Sequence, residues 1–304
     1  MSASSYHTPV LLAPLLRAIG RPARVVDATL GDGGHAEALL AAGAEVMGID
    51  RDPAAIATAR GRLGDAGIHY LEAAYASDEA LVAIAAFRPD LILLDLGVSS
   101  RQLDEDVRGF SFRPGAPLDM RMGAAGVTGA DFLNRAGETT LGRAFRDWAD
   151  EPRGRILAAQ IVRRRAHHPF ATADDLVNAI RAVLGPRSGP ADFARIFQAV
   201  RIAVNDELDG LERALPEFRS ALVPGGCLAV ISYHSGEDRV VKHAFQEWSR
   251  RCVCPPRQPV CTCRGRALGR AEPRKPIAAD AAEVAANPRA RSAKLRIFRV
   301  SDEG

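Results

Sequence analysis

No apolar run in this chain approaches the roughly 20 residues that a bilayer-crossing helix needs; the stretch 91–96 is among the longest. Residues 1–7 carry no basic-then-apolar layout of an export signal, so a soluble, cytoplasmic protein is expected, with no membrane partner. Internal repeats and low-complexity segments are likewise missing. Lysine is nearly so: Lys242, Lys275 and Lys294 are the only three among 40 basic residues. Arginine therefore carries the positive charge, and its planar fork grips phosphate in bidentate fashion. What is abundant is apolar: 47% of 304 residues is enough to exclude a disordered chain and to build one large domain or two ordinary ones.

The net charge of +3 hides an asymmetry. Residues 250–304 hold 13 Lys plus Arg against 5 Asp plus Glu, a local +8, which leaves −5 on the other 249 residues. A second basic cluster is Arg163-Arg164-Arg165 with His167 and His168. Nucleic acid is the partner this suggests; a solvated basic face in an arginine-rich protein gives the same pattern.

The densest chemistry lies in Asp27-Ala28-Thr29-Leu30-Gly31-Asp32-Gly33-Gly34-His35, followed by Gly48-Ile49-Asp50. Val25 and Val26 read as a buried parallel strand, the glycines as a tight turn, and residues 36–40 as the start of a helix with an electropositive N-terminus. Asp50, 19 residues beyond Gly31, is where a carboxylate at the next strand tip accepts the hydroxyl protons of a ribose. Dinucleotide enzymes use G-x-G-x-x-G with a pyrophosphate on the helix end. Here the third spaced glycine is missing and Asp27 precedes the loop. An anion there repels a pyrophosphate but suits the sulfonium and ammonium of S-adenosylmethionine. The bland reading, glycines serving only a strand-to-helix turn, stands beside it.

Strands are expected at Arg24–Asp27, Glu45–Asp50, Ile68–Glu72 and Leu91–Asp95, with helices at Pro53–Leu63 and 77–87 between them, hence a doubly wound, mostly parallel α/β sheet. From 107 to 122 the chain turns Gly-, Pro- and Arg-rich, and then only helices follow, at 139–149, 153–167, 172–184 and 194–204. The sheet resumes after Pro224-Gly225-Gly226 with a strand at 227–233, a helix at 238–248 and a terminal strand at Lys294–Val300. The expected organisation is thus 1–107 and 208–304 forming one α/β domain around an all-helical insert, 108–207.

Three further segments carry candidate chemistry. Leu94-Asp95-Leu96-Gly97-Val98-Ser99-Ser100 sets a carboxylate at the carboxyl edge of the sheet, where ligands bind, although an Asp there also caps turns; Gln102 follows in the same loop. The segments 108–115 and 118–122 interleave Phe110 and Phe112 with Arg113 and Arg121, which suits either base stacking with phosphate binding or the plugging of an apolar gap. His234, in Ser232-Tyr233-His234-Ser235, is placed to relay a proton or simply to hydrogen-bond its loop. Separately, Cys252, Cys254, Cys261 and Cys263 form two C-x-C pairs that offer four thiolates to a tetrahedral zinc, with a reduced loop and disulfides as the other readings. Cys227, in an apolar strand, reads as core. The nucleotide pocket itself calls for no metal.

Taken together, these segments resemble the bacterial 16S ribosomal RNA cytosine-N4-methyltransferases. The resemblance runs through His7-Thr8-Pro9-Val10-Leu11-Leu12, the glycine loop, Gly48 to Pro53, Leu93 to Ser100, Leu118-Asp119-Met120-Arg121-Met122, Phe197 to Ile202, Ser232 to Ser235 and Asn287-Pro288-Arg289-Ala290-Arg291-Ser292. It implies a Rossmann-like class I methyltransferase fold with an inserted helical domain. It also implies methyl transfer from S-adenosylmethionine to the exocyclic amine of one cytidine in the decoding region, in the small ribosomal subunit or its assembly intermediate. The cofactor positions it implies are Gly33, Gly34, His35, Asp50, Tyr75, Asp95 and Gln102. This chain departs from the family pattern at Ala191-Asp192-Phe193-Ala194-Arg195-Ile196-Phe197 and at Glu151-Pro152-Arg153-Gly154.

The expected mechanism is in-line transfer with reactants aligned at about 3 to 3.5 Å. A base takes the amine proton, Asp95 first, then Asp119 and His234. The target base is extruded from its stack, with Phe110 or Phe112 to receive it. A non-catalytic, RNA-binding ribosome-assembly factor and a nicotinamide dehydrogenase are the competing readings. Monomer and homodimer are both compatible with the sequence.

Overall fold

The computed structural model describes residues 9–99, 102, 103, 105–258 and 260–302. The export-signal reading of residues 1–7, the family residues His7 and Thr8, and Ser100 lie outside them.

The chain divides into two compact units, Met1–Gly97 with Leu208–Gly304, and Val98–Glu207. In the first, helix α1 (Leu12–Ile19) precedes β1 (Arg24–Asp27), α2 (Gly34–Ala41), β2 (Glu45–Asp50), α3 (Pro53–Leu63), β3 (Ile68–Glu72), α4 (Asp78–Phe87) and β4 (Leu91–Asp95). After the second unit come α10 (Glu207–Ala221), β5 (Cys227–Ser232), α11 (Ser235–Trp248), β6 (Gly269–Ala271), β7 (Ile277–Ala278), α12 (Ala281–Ala286) and β8 (Lys294–Val300). The strands form one sheet ordered β3-β2-β1-β4-β5-β8-β6, with β7 also on β8. The first five are parallel and β8 runs antiparallel to β5.

Strand alternation builds a core on each face. Val25, Leu93 and Ile231 point to one side, where Leu15, Ala36, Leu39 and Ala59 cover them from α1 to α3. Their neighbours Val26, Leu94 and Val230 point to the other, under Ile84, Phe218 and Phe245 of α4, α10 and α11. A strand buried on both faces reads as a continuous apolar run, which is why these were visible in the sequence. None of the described helices is long and apolar enough to cross a membrane.

The second unit contains α5 (Gly129–Arg135), α6 (Glu138–Trp148), α7 (Gly154–Arg165), α8 (Ala173–Leu184) and α9 (Pro190–Asn205). Thr128 with Asp131, and Thr172 with Asp175, form reciprocal caps that start α5 and α8. Leu141, Phe145, Leu157, Ile161, Leu176, Ile180, Ile196 and Val200 close the core. Beyond the helices, one antiparallel bridge pairs Pro117 with Thr172.

Most departures from the expected boundaries have local causes. Helix α11 starts at Ser235, ahead of the expected 238, because His234 caps it with Glu237. Helix α9 starts at Pro190, a residue whose fixed φ and missing N–H suit a first turn. Helix α10, with Pro216 inside it, was masked by that proline. Phe145 is fully buried; Phe145→Ala is expected to lower the stability of the helical unit by about 3–5 kcal/mol, read as a lower urea midpoint at unchanged slope.

Candidate active site

Asp27, Asp50 and Asp95 are each the last residue of a parallel strand, and those strands, β1, β2 and β4, are adjacent. Three carboxylates therefore emerge on one edge of the sheet, where the strand order reverses about β1. Such a reversal opens the crevice in which doubly wound sheets bind ligands.

Each carboxylate is held differently. Asp50 accepts from two backbone N–H groups, Gly31 on Oδ2 and Asp52 on Oδ1, both at 2.8 Å. Asp95 accepts the Tyr233 hydroxyl on Oδ1 at 2.7 Å. Its own N–H donates to Thr29 Oγ1 at 2.6 Å, fastening the end of β4 to the turn after β1. Asp27 accepts a 3.3 Å bond from Thr29 N on Oδ1, while its Oδ2 is buried with no hydrogen-bond partner among the described residues.

Burial in this acidic surrounding raises all three. Loss of water pushes Asp27 up to about 6 against the opposing pull of His35, with Asp95 and Asp50 adding repulsion. The same cause pushes Asp95 up to about 7, opposed by the Tyr233 hydrogen bond and reinforced by Glu237. Asp50 is raised by burial and restrained by its two N–H donors. The Asp95 side chain is 24% exposed, so it remains reachable from the crevice. A buried acceptor without a donor, among acids that resist ionising together, fits a cationic ligand group such as an ammonium or sulfonium.

The turn between β1 and α2 needs its glycines for two reasons. Gly33 has φ +79°, and a Cβ on it would lie 2.8 Å from Leu63 Cδ1. A Cβ on Gly34 would lie 2.7 Å from Pro9 Cγ, so this glycine lets the N-terminal segment close onto α2. His35 fastens the same segment: its Nε2 is 3.0 Å from the Val10 carbonyl. A carbonyl only accepts, so Nε2 carries a proton, while Nδ1 lies 3.7 Å from Asp95 Oδ2. Burial lowers the pKa of His35, against the opposing pull of Asp27. Glu283 adds a third tie, accepting from Leu11 N at 2.6 Å.

Tyr75 follows β3 in the same unit, with its ring 6.1 Å from that of Phe218. His234 lies at the start of α11, where its Nδ1 accepts from Glu237 N and its Nε2 is 3.1 Å from Glu237 Oε1. Gln102 belongs to the helical unit: it is buried, its Oε1 accepts from Ser99 N, and its Nε2 donates to Met122 O. In that unit too, Asp119 is clasped by Arg121 at 2.8 and 2.7 Å, which holds its pKa below the ordinary value. Phe110 packs on the helical core, and Phe112, 36% exposed, meets Phe193 and Phe197 edge-on. Arg113 pairs with Asp106 at 3.0 Å.

Tyr233 is the residue that reading the sequence passed over. An aromatic directly after a buried strand reads as core, but Asp95 is in register with Ile231 of β5, so a side chain two residues further on reaches it.

A sheet of this order, with its antiparallel β8 and an acid at the tip of β2, defines a Rossmann-like methyltransferase. The model of the MraW methylase family matches residues 4–301, and the chain belongs to that family. It is 58% identical over 300 residues to a protein of Gemmatimonas aurantiaca named "Ribosomal RNA small subunit methyltransferase H", with 97% of this chain and 95% of that one covered. Proteins of the same name from Heliobacterium modesticaldum and Rubrobacter xylanophilus are each 45% identical, covering 96% and 99% of this chain and 97% and 98% of their own.

The raised acids fix a sign. Unfolded Asp27 ionises near 3.8, whereas the folded protein keeps the proton to about 6. The native state thus binds more protons between these values, and the contribution to stability is full below pH 4 and lost as pH rises through 6. Asp27→Asn should therefore make the ligand-free protein more stable at pH 8 by about 1–3 kcal/mol, with little change at pH 4. Thermal unfolding at both pH values checks this; an equal shift at both would show that ionisation is not the cause.

Proposed function

We propose that the chain transfers the methyl group of S-adenosylmethionine to the exocyclic N4 amine of a cytidine in the decoding region of 16S rRNA. In this reading it acts in the cytoplasm on the small ribosomal subunit or its assembly intermediate. The observation that carries the reading is Asp95: a reachable carboxylate at the switch point of the sheet, held by Tyr233 and poised near neutrality. The shared name of the relatives supplies the substrate class.

In this reading the cofactor supplies an electrophilic methyl on a positively charged sulfur. Asp50 receives the ribose hydroxyls, and Gly33, Gly34 and His35 bring backbone close to the ligand. Asp27 Oδ2 takes the ammonium and Tyr75 walls the adenine. The weak nucleophilicity of the amine is the chemical difficulty, because its nitrogen lone pair is delocalised into the cytosine ring, and removing an amine proton makes that pair available. Tyr233 occupies Oδ1 of Asp95, which leaves Oδ2 to accept the N–H and take the proton as the nitrogen–carbon bond forms and the sulfur–carbon bond breaks. A base near pH 7 is matched to that task, whereas Asp119 is held low by Arg121 and His234 is committed to Glu237. Phe112, Arg113 and Arg121 are assigned to the RNA, with Phe110 beneath them.

Asp95→Asn should lower kcat by about 10²- to 10⁴-fold with cofactor binding retained. The assay is labelled S-adenosylmethionine with undermodified small subunits, scored as N4-methylcytidine by mass spectrometry. RNA binding with no labelled cytidine from the wild-type protein would favour an assembly factor instead. Activity requires ionised Asp95, so it falls as pH drops through 7. Removing the hydroxyl that stabilises the carboxylate raises its pKa further, and Tyr233→Phe should move this acid limb up by about one pH unit. An unmoved limb would assign the base elsewhere.

A further inference from the structure

Between α11 and β6 runs a segment with no buried residue among those described from Ser249 to Ala267. Nothing apolar holds it in shape, yet its four cysteines converge. Their sulfurs all lie within 4.8 Å of one another. Cys261 Sγ is 3.9 Å from Cys252 Sγ, 3.8 Å from Cys254 Sγ and 3.5 Å from Cys263 Sγ. None is in a disulfide, whose sulfurs would be about 2.05 Å apart. Four thiolates at the corners of a tetrahedron around an ion, each bond about 2.3 Å, stand about 3.8 Å apart. An iron–sulfur cluster spreads its cysteines over several metal atoms, and these separations leave room for one. We propose that Cys252, Cys254, Cys261 and Cys263 bind a single structural zinc ion.

The surroundings fit that charge. Four thiolates around a divalent ion carry a net −2, and the segment 250–266 holds Arg250, Arg251, Arg257, Arg264 and Arg266 with no acid. Val253 N donates to Cys263 Sγ at 3.4 Å, the kind of backbone donor that orients and steadies a metal-bound sulfur. Arg264 anchors the far end, reaching the Glu247 carboxylate at 2.8 Å and the Glu247 carbonyl at 2.6 Å. All four protein positions are filled by sulfur, so the ion has no open site for substrate and its role is to fold the loop. The Pro259 placed between the cysteine pairs lies outside the described residues.

The test is metal analysis of the full chain purified without chelator, followed by cobalt titration of the reduced, metal-stripped protein. One equivalent of zinc is expected, and one equivalent of cobalt with the intense visible bands of a tetrahedral thiolate site. Cys261→Ser should abolish both, and Cys227→Ser, which alters a cysteine of the sheet core, should abolish neither. Should Cys261→Ser fail to fold, trypsin decides on the wild type: stripping zinc should expose the arginines of 250–266 to cleavage at least tenfold faster, with the rest of the chain intact. Absence of zinc with four freely titrating thiols, two disulfides in the purified protein, or bound iron in its place would each overturn the proposal.

Discussion

Three carboxylates end three neighbouring strands, and their forced proximity in a water-poor edge is the constraint around which the first unit is arranged. Like charges so placed do not all ionise cheaply, and each is answered by a different donor. Asp50 draws on backbone, Asp95 on a tyrosine, and Asp27 Oδ2 on nothing among the described residues. The asymmetry is itself informative. Backbone donors in a fixed turn make a permanent acceptor, suited to hydroxyl donors, whereas a buried acceptor without a donor is relieved by a proton or by a cation beside it. Thr29 binds the arrangement together, since its N–H serves Asp27 and its hydroxyl serves the Asp95 backbone.

The helical unit shows where much of the arginine goes. Arg195 donates to Glu151 at 3.0 Å, to Asp192 at 2.9 Å and to the Ala149 carbonyl at 2.7 Å. Arg195 lies in one segment where the chain departs from its family's pattern, and Glu151 lies in the other. Two separate oddities of sequence are therefore one interaction, a buried acid answered by an arginine from α9. Arg165, in the basic run that suggested RNA, donates to the carbonyls of Leu133 and Ala136 at the end of α5. Arg201 is paired with Glu207 at 2.8 Å. A count of basic residues overstates the charge free to meet phosphate.

The strands are legible because burial on both faces leaves an apolar run, and an acid ends three of them at the carboxyl edge of the sheet. Helix starts were less legible, since they rest on a side chain folding back, as His234 does. Composition changes at 107, whereas the leading stretch of the first compact unit ends at Gly97. What stayed hidden was convergence. The C-x-C spacing allowed zinc, disulfide or nothing, because spacing does not say which way four side chains turn. Gly34 showed a glycine but not its reason, which is Pro9, distant in sequence and tight in space.

Tyr233 shows how a distant element sets the chemistry of an acid. Its hydroxyl reaches Asp95, but its backbone N–H donates to Glu237 Oε2 at 2.8 Å, the oxygen that also accepts from His234 N. The reciprocal cap of α11 therefore fixes the position of the tyrosine, and with it one oxygen of Asp95. Glu237 acts twice on that acid: through Tyr233 it supports the donor that favours the carboxylate, and through its own charge it opposes ionisation. The balance of these two, on top of burial, leaves Asp95 near neutrality instead of fully charged or fully protonated. His234 belongs to the same balance without touching Asp95, because a weaker cap would loosen the tyrosine that holds it. The start of one helix and the tip of another strand are thus a single electrostatic device.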